Sequence, residues 1–284
     1  MTTTTAVPGL SGPVAAAAAH VADALSGHEP LGVAYSGGVD SATLLALAVR
    51  TLGAENVVAV LGISPSLATD ERAAAHETAA VIGARVVEIE THEGESAAYR
   101  ANGPDRCFHC KDELFTRISD ELVTELGLAA VAYGENADDA KRPDRPGSQA
   151  ATNHRVLRPM AEAGMTKAMV REVARALELP VADKPAAPCL ASRIPHFQEV
   201  TPEKLRQVDQ AEGGLRRLGF TDSRVRHHGD VARIELLPEE LLTAVQRREE
   251  VDAVVRAAGF RFAALDLRGI QSGAFTLPLV SVRG

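Results

Sequence analysis

The sequence predicts an α/β protein, with a parallel-sheet domain followed by a smaller α+β domain. Three observations predict it. Short apolar runs alternate with helical stretches through the first 180 residues. Those runs are apolar at nearly every position, as strands covered on both faces are. A proline-dense segment then precedes a stretch containing a hairpin signal.

LGVAY (31–35) is the first strand, and Ser41 to Leu52 follows as a helix through Leu44, Leu45, Leu47 and Ala48. VVAVL (57–61) is a second strand, Asp70 to Ile82 an Ala-rich helix, and RVVEIE (85–90) a third strand. Lys111 to Leu126 is amphipathic, with Leu114, Phe115, Ile118, Leu122 and Leu126 on one face. AAVAY (129–133) is again apolar. Residues 14–180 are therefore expected to form the sheet domain. Within them, 140–155 is polar, carries Pro and Gly, and is expected as a loop. Residues 181–200 form a connecting loop that carries a Cys, a Ser and an Arg among its prolines. Residues 201–284 are expected as the smaller domain. Thr201 caps a helix running to about Leu218, with Pro202 in its first turn. DSRVRHH and VARIELL are strands joined at Gly229-Asp230, a hairpin turn signal. Pro238 to Ala258 is helical and RFAALDL (261–267) a last strand.

The chain has 284 residues, enough for one large domain or two. Its 38 acidic and 30 basic residues give a net charge of −8, which argues against a protein living on nucleic acid. No apolar run approaches the roughly 20 residues that span a bilayer. The N-terminal stretch lacks positive charge before its weakly apolar part, so it is expected as a tail leading into a helix rather than an export signal. Three cysteines do not make a disulfide framework and suit a reducing cytoplasm.

Ser36-Gly37-Gly38-Val39-Asp40-Ser41 lies between the first strand and its helix. Gly37 and Gly38 permit backbone conformations closed to other residues and let an anion come close. The free N–H groups and dipole of the helix start favour negative charge. Ser36 and Ser41 add hydroxyl donors, and Asp40 can orient the loop or meet a Mg²⁺ carried by a nucleotide. No Gly-Lys-Ser/Thr follows, so this is not the common nucleotide loop. The bland alternative is a tight turn without ligand; SGG followed by DS at this place argues against it.

Cys107 and Cys110 form Cys-Phe-His-Cys, and Cys189 lies in Ala-Pro-Cys-Leu-Ala-Ser-Arg. The pattern allows a redox dithiol with a buried third cysteine, a zinc site, or three thiolates on an iron–sulfur cluster. Arg224 and Arg226 alternate along a strand and so share a side, which suits a phosphate; a solvated strand edge is the alternative. His227 and His228 are expected at the surface; Lys184 could steady AMP or pyrophosphate, although a lone lysine in a loop is usually solvated.

SGGVDS after LGVAY resembles the PP-loop of the ATP pyrophosphatase superfamily. The resemblance implies cleavage of ATP between its α and β phosphates, with adenine near Leu61 to Ser64, including Ile63, and near Gly134. A wider series is Asn102-Gly-Pro-Asp-Arg-Cys-Phe-His-Cys-Lys111, Gly134-Glu-Asn-Ala-Asp-Asp139, Arg145-Pro-Gly147, Arg158-Pro159, Asp183 through Cys189 to Arg193, Ala211-Glu212, Arg224-Val-Arg226 and Ala232-Arg-Ile-Glu235. It resembles the LarE-type ATP-dependent sulfur transferases of nickel-pincer nucleotide synthesis.

That resemblance implies adenylylation of a carboxylate of pyridinium-3,5-biscarboxylic acid mononucleotide, loss of pyrophosphate, and sulfur insertion to give a thiocarboxylate. It implies ATP, Mg²⁺ and a 4Fe-4S cluster on Cys107, Cys110 and Cys189 as cofactors, in place of a sacrificed Cys189 sulfur. It implies a mononucleotide phosphate near Ser192, Arg193, Glu212, Arg224 and Arg226, a homo-oligomer, and sulfide or another sulfur donor. Its rivals are a PP-loop tRNA thiolase, disfavoured by the net charge, three Tyr and no Trp, and a non-catalytic nucleotide- or metal-binding regulator.

Overall fold

A computed structural model describes residues 7–141 and 146–270. The expected tail before residue 7, Arg145 of the Arg-Pro-Gly stretch, and 271–284 of the expected second domain lie outside the described residues. The chain divides into two compact units. Met1–Ser64, Glu71–Glu93 and Cys107–Ala187 form the first; Pro65–Asp70, Gly94–Arg106 and Pro188–Gly284 form the second.

The first unit is a four-stranded parallel sheet. Its strands are β1 (Leu31–Ala34), β2 (Val57–Ile63), β3 (Arg85–Glu90) and β4 (Ala130–Tyr133), in the order β3-β2-β1-β4. Every residue of β1 is buried, as its unbroken apolar run requires of a central strand. The helices Gly12–Leu25, Val39–Leu52 and Lys167–Ala176 pack together. Phe115, Ile118 and Leu122 join Val60 and Ile89 in one core cluster. From β1 the chain moves outward to β2 and β3, then returns to place β4 on the other side of β1. That reversal leaves a crevice between the carboxyl ends of β1 and β4, the usual ligand position in open α/β sheets.

The amphipathic helix expected from Lys111 starts earlier, at Arg106, so Cys107 and Cys110 are helical. It runs Arg106–Arg117, widens into a π-turn at Ile118–Leu122 and ends with Val123–Leu126. The loop expected over 140–155 is corrected: Pro146–Asn153 is a helix. Its Ala150 and Ala151 are fully buried in the cluster with Phe115. Burial of that small apolar face outweighs the poor helix propensity of the Gly, Ser and Asn beside it. Leu157 then makes an isolated parallel bridge to Ala132 at the β4 edge.

The second unit is α+β. Thr201 caps the helix Pro202–Arg217, its Oγ1 accepting from the Lys204 N–H at 3.3 Å. The strands β5 (Ser223–His228) and β6 (Val231–Leu236) pair antiparallel across the two-residue turn at Gly229-Asp230, and β7 (Phe262–Leu265) pairs parallel to β6. The helices Pro202–Arg217 and Arg248–Ala257 pack together through buried Leu205, Val208, Leu215, Val251 and Val255. Among the described residues, no helix is long and apolar enough to cross a membrane.

Candidate active site

In the first unit, the turn from β1 into the Val39–Leu52 helix holds Ser36 to Ser41. Gly37 sits at φ 72°, and a Cβ there would lie 2.7 Å from the Ala75 Cβ, so both conformation and space demand glycine. Ser36 Oγ and Ser41 Oγ are 3.2 Å apart, and Ser41 Oγ donates to the Gly38 carbonyl at 3.1 Å. Gly134, just after β4, presses on the same turn. A Cβ there would come within 2.8 Å of the Asp40 carbonyl carbon and the Ser41 nitrogen. The end of β4 therefore sets the position of the helix start.

Asp40 opens that helix. Its Oδ1 accepts from Asn136 Nδ2 at 3.1 Å, and its Oδ2 lies 2.5 Å from Lys167 Nζ. Asn136 is itself an N-cap whose Oδ1 accepts from the Asp138 and Asp139 N–H groups at 3.0 Å. A Mg²⁺ arriving with ATP would meet a carboxylate already held at both oxygens. Sequence reasoning missed Lys167, which lies 127 positions from Asp40. Thr166 places it by capping its helix, Oγ1 accepting from the Met169 N–H at 3.3 Å.

A cavity of about 200 Å³ opens here, lined by Ser36, Gly38, Asp40, Ser41, Tyr133 and Gly134, with Lys111, Leu114 and Phe115 on another wall. Lys111 Nζ stands 4.2 Å from the Tyr133 ring centroid. Its tail also fills the space beside Gly147, where a Cβ would meet the Lys111 side chain at 2.7 Å. Tyr133 holds its phenol proton well above the ordinary range, first because it is buried and then because Glu135 is near. Ile63 ends β2, and its carbonyl accepts from the Thr91 N–H at 3.0 Å; it is not among the residues lining this cavity. Lys184, expected in solvent, pairs with Glu71 at 2.7 Å.

In the second unit, a buried charged cluster forms around the Leu190–Arg193 turn. Arg193 grips Glu212 with both arms, Nε to Oε1 at 2.9 Å and Nη2 to Oε2 at 3.1 Å. It also donates to the Pro188 carbonyl at 2.7 Å and to Ser192 Oγ at 2.9 Å. Arg226 grips Glu235 in the same fashion, at 3.0 and 2.9 Å, and donates to the Ser192 carbonyl at 3.1 Å. Glu212 Oε1 accepts as well from the Val225 N–H at 2.8 Å. Arg224 is buried nearby. The solvated-edge alternative for Arg224 and Arg226 is thus corrected: they are 5% and 3% exposed. Burial lowers the Arg224 pKa, and the charges of Arg193 and Arg226 lower it further. For Arg193 burial acts in the same direction, but Glu212 outweighs it and the pKa is raised. This cluster joins Ser192, Arg193, Glu212, Arg224 and Arg226 around one stretch of chain.

His227 corrects another expectation. It is 4% exposed, its Nε2 lies 3.0 Å from Gln207 Oε1, and its ring sits 5.1 Å from that of Phe260. Strand alternation failed to signal this because both faces of β5 are covered: its first five residues are all buried. His228 is exposed, as expected.

None of the three cysteines is in a disulfide among the described residues; Cys107 and Cys189 are exposed and Cys110 is half-buried. Cys107 and Cys110 occupy the first turn of their helix three residues apart, so they share a face. Cys189 is the N-cap residue of the Leu190–Arg193 turn. Among the described residues, no three His, Cys, Asp or Glu side chains are already gathered to hold a metal.

A family model described as asparagine synthase matches residues 16–121. A protein of Synechocystis sp., described as uncharacterized, is 42% identical over 85% of this chain and 90% of its own length. Pyridinium-3,5-bisthiocarboxylic acid mononucleotide synthase of Lactiplantibacillus plantarum is 34% identical over 85% of this chain and 87% of its own. An uncharacterized protein of Methanocaldococcus jannaschii is 25% identical over 84% and 90%.

Proposed function

Because this chain belongs to the LarE-type family of ATP-using PP-loop sulfur transferases, we propose that it converts a carboxylate of pyridinium-3,5-biscarboxylic acid mononucleotide into a thiocarboxylate. A carboxylate oxygen attacks the α-phosphorus of ATP. The α–β phosphoanhydride bond breaks and pyrophosphate leaves with Mg²⁺. A sulfide sulfur then attacks the activated acyl carbon, the C–O bond to AMP breaks, and AMP leaves. The sequence is redox-neutral. Activation is needed because a carboxylate would otherwise have to expel oxide.

The observation that carries this reading is the cavity at the carboxyl ends of β1 and β4, floored by the Ser36–Ser41 turn. The N–H groups at the start of the Val39–Leu52 helix favour the departing pyrophosphate. Ser36 and Ser41 supply hydroxyls, Asp40 orients the turn, and Lys111 and Lys167 bring positive charge to its rim. Gly134 and Ile63 belong on the adenylate side. Arg224 and Arg226 take the substrate phosphate, with Ser192, Arg193 and Glu212 beside them. The buried arginines suit it because desolvated guanidinium groups bind phosphate strongly and Glu212 and Glu235 keep them oriented.

Three thiols of a type that binds iron–sulfur centres support a cluster on Cys107, Cys110 and Cys189. When bound, such a centre offers an open iron able to carry extra sulfide, so that Cys189 keeps its own sulfur. A cytoplasmic homo-oligomer fed by sulfide or another sulfur donor fits this scheme.

The test is anaerobic preparation followed by iron and sulfide analysis, and assay of pyrophosphate, AMP and thiocarboxylate with ATP and the mononucleotide. The expected result is about four irons and four sulfides per chain, pyrophosphate release, and Cys189→Ala protein that adenylylates but transfers no sulfur. No pyrophosphate with any acceptor would overturn the activity. A colourless zinc protein would overturn the cluster.

A further inference from the structure

Asn102 is fully buried and adopts the left-handed conformation, φ 56°, which asparagine tolerates better than most other non-glycine residues. Its amide Nδ2 faces three carbonyls of a single loop: Ile194 at 3.2 Å, Pro195 at 2.8 Å and Gln198 at 3.1 Å. Its own carbonyl accepts from the Phe197 N–H and stands 3.1 Å from His196 Nδ1. Its Oδ1 accepts from Arg106, and the same Arg106 nitrogen donates to the Ala191 carbonyl at 3.0 Å. Arg106 is 8% exposed. Two side chains thus bind one loop at four carbonyls, from Ala191 to Gln198. That loop begins beside Cys189 and contains Ser192 and Arg193. Arg106 immediately precedes Cys107 in sequence.

We propose that Asn102 and Arg106 are positioning residues for sulfur transfer: they fix the loop that carries Cys189 and Arg193 against the segment leading into the Cys107–Cys110 pair. The inference rests on the proposed function, in which those three thiols serve one sulfur-carrying centre. Neither residue belongs to the nucleotide cavity, so the device leaves the phosphate turn itself untouched and acts through the loop, on Cys189 in sulfur transfer and on Ser192 and Arg193 in holding the mononucleotide. A plain packing role would be filled by any residue of similar size. This one needs an amide that donates to carbonyls while its oxygen accepts from a cation, which only Asn or Gln supplies.

The test uses full-length Asn102→Gly, which keeps the left-handed backbone, Asn102→Asp, which keeps the oxygen for Arg106 but faces the three carbonyls with acceptors, and the pair Arg106→Ala and Arg106→Lys. Four readouts are taken: pyrophosphate release, sulfur transfer, the visible and paramagnetic spectra of the reconstituted cluster, and hydrogen exchange of peptides spanning 189–198 in metal-free protein. The expected result, at saturating mononucleotide, is pyrophosphate release within about twofold of the parent with a raised KM for the mononucleotide, sulfur transfer reduced at least tenfold, an altered or lost cluster spectrum, and exchange in 189–198 at least tenfold faster while the Pro202–Arg217 helix is unchanged. Arg106→Lys should recover part of what Arg106→Ala loses.

Unchanged sulfur transfer and spectra in all four variants would overturn the proposal. So would parallel loss of both half-reactions with faster exchange throughout the unit. A parent protein that releases no pyrophosphate or holds no iron would instead overturn the underlying function. Exchange in 189–198 would still read the loop restraint directly.

Discussion

Lys167 Nζ lies 2.5 Å from Asp40 Oδ2, at the mouth of the Ser36–Ser41 turn that we propose receives pyrophosphate. Without that cation, Asp40 would set a bare negative charge where an anion must bind. Lys167→Ala is therefore expected to raise the KM for ATP roughly tenfold, about 1–2 kcal/mol for a half-exposed charged hydrogen bond. The urea midpoint should hardly move, because the pair is partly in solvent. Lys167→Arg should keep most of the ATP affinity. An unchanged KM in Lys167→Ala would remove the residue from the phosphate site.

Gly134 touches the backbone of Asp40 and Ser41, where no side chain can yield. Gly134→Ala must push the strand end and the helix start apart, at about 1–3 kcal/mol. ATP binding should weaken far more than a stability loss of that size would explain, since the displaced groups are those that face the phosphates. Calorimetric titration with ATP beside a urea melt checks it. Normal affinity in a destabilised protein would limit Gly134 to packing.

These two relationships differ in how far sequence could reveal them. The Ser36–Ser41 turn is local: strand, glycines and helix start follow one another, so its place could be read from order alone. β1, β2 and β4 were legible because a strand covered on both faces must be apolar throughout, and the edge strand β3 because Val86, Val87 and Ile89 stand out among its charged residues. Lys167 was not, because its partner is 127 positions away and a lysine in the first turn of a capped helix ordinarily faces solvent. The Pro146–Asn153 helix was hidden because its buried face is two alanines, too small to stand out among Pro, Gly and Ser. Asn102 was visible in the motif, but its three carbonyl partners lie more than 90 positions on. Arg224 and Arg226 were visible by their alternation. Their burial depends on Glu212 and Glu235 from other elements, which spacing cannot supply.

Glu235 is fully buried against Arg226. Removing one member of such a pair strands the other charge away from water. Glu235→Ala is expected to cost about 3–5 kcal/mol in urea unfolding, whereas Arg226→Met with Glu235→Leu together should cost much less than the two single changes added. Both versions should lose mononucleotide binding, because the double variant restores packing without restoring the cation. Retained substrate affinity in the double variant would take Arg226 out of the phosphate site.

His227 is held below its ordinary pKa, chiefly by burial and then by the nearby Lys204 charge. Between its folded and unfolded pKa values the unfolded chain binds the proton and the folded chain does not. Stability therefore rises with pH across that interval. The contribution is fully present above the unfolded value of about 6.5 and is lost as pH falls below it toward the folded value. His227→Gln should flatten the dependence of the urea midpoint between about pH 5 and 7, and it should lower the midpoint more at pH 8, where the contribution is intact, than at pH 5.5. The groups facing the ring are Gln207, whose Oε1 lies at Nε2, and Phe260. Neither titrates in this range, but Lys204, His228 and Glu203 act on the ring through their charges, so a His228→Gln control measured over the same interval separates that imidazole's slope from the slope of His227. An unaltered slope in the variant would mean that the ring is reached by water and protonates as freely in the folded chain as in the unfolded one.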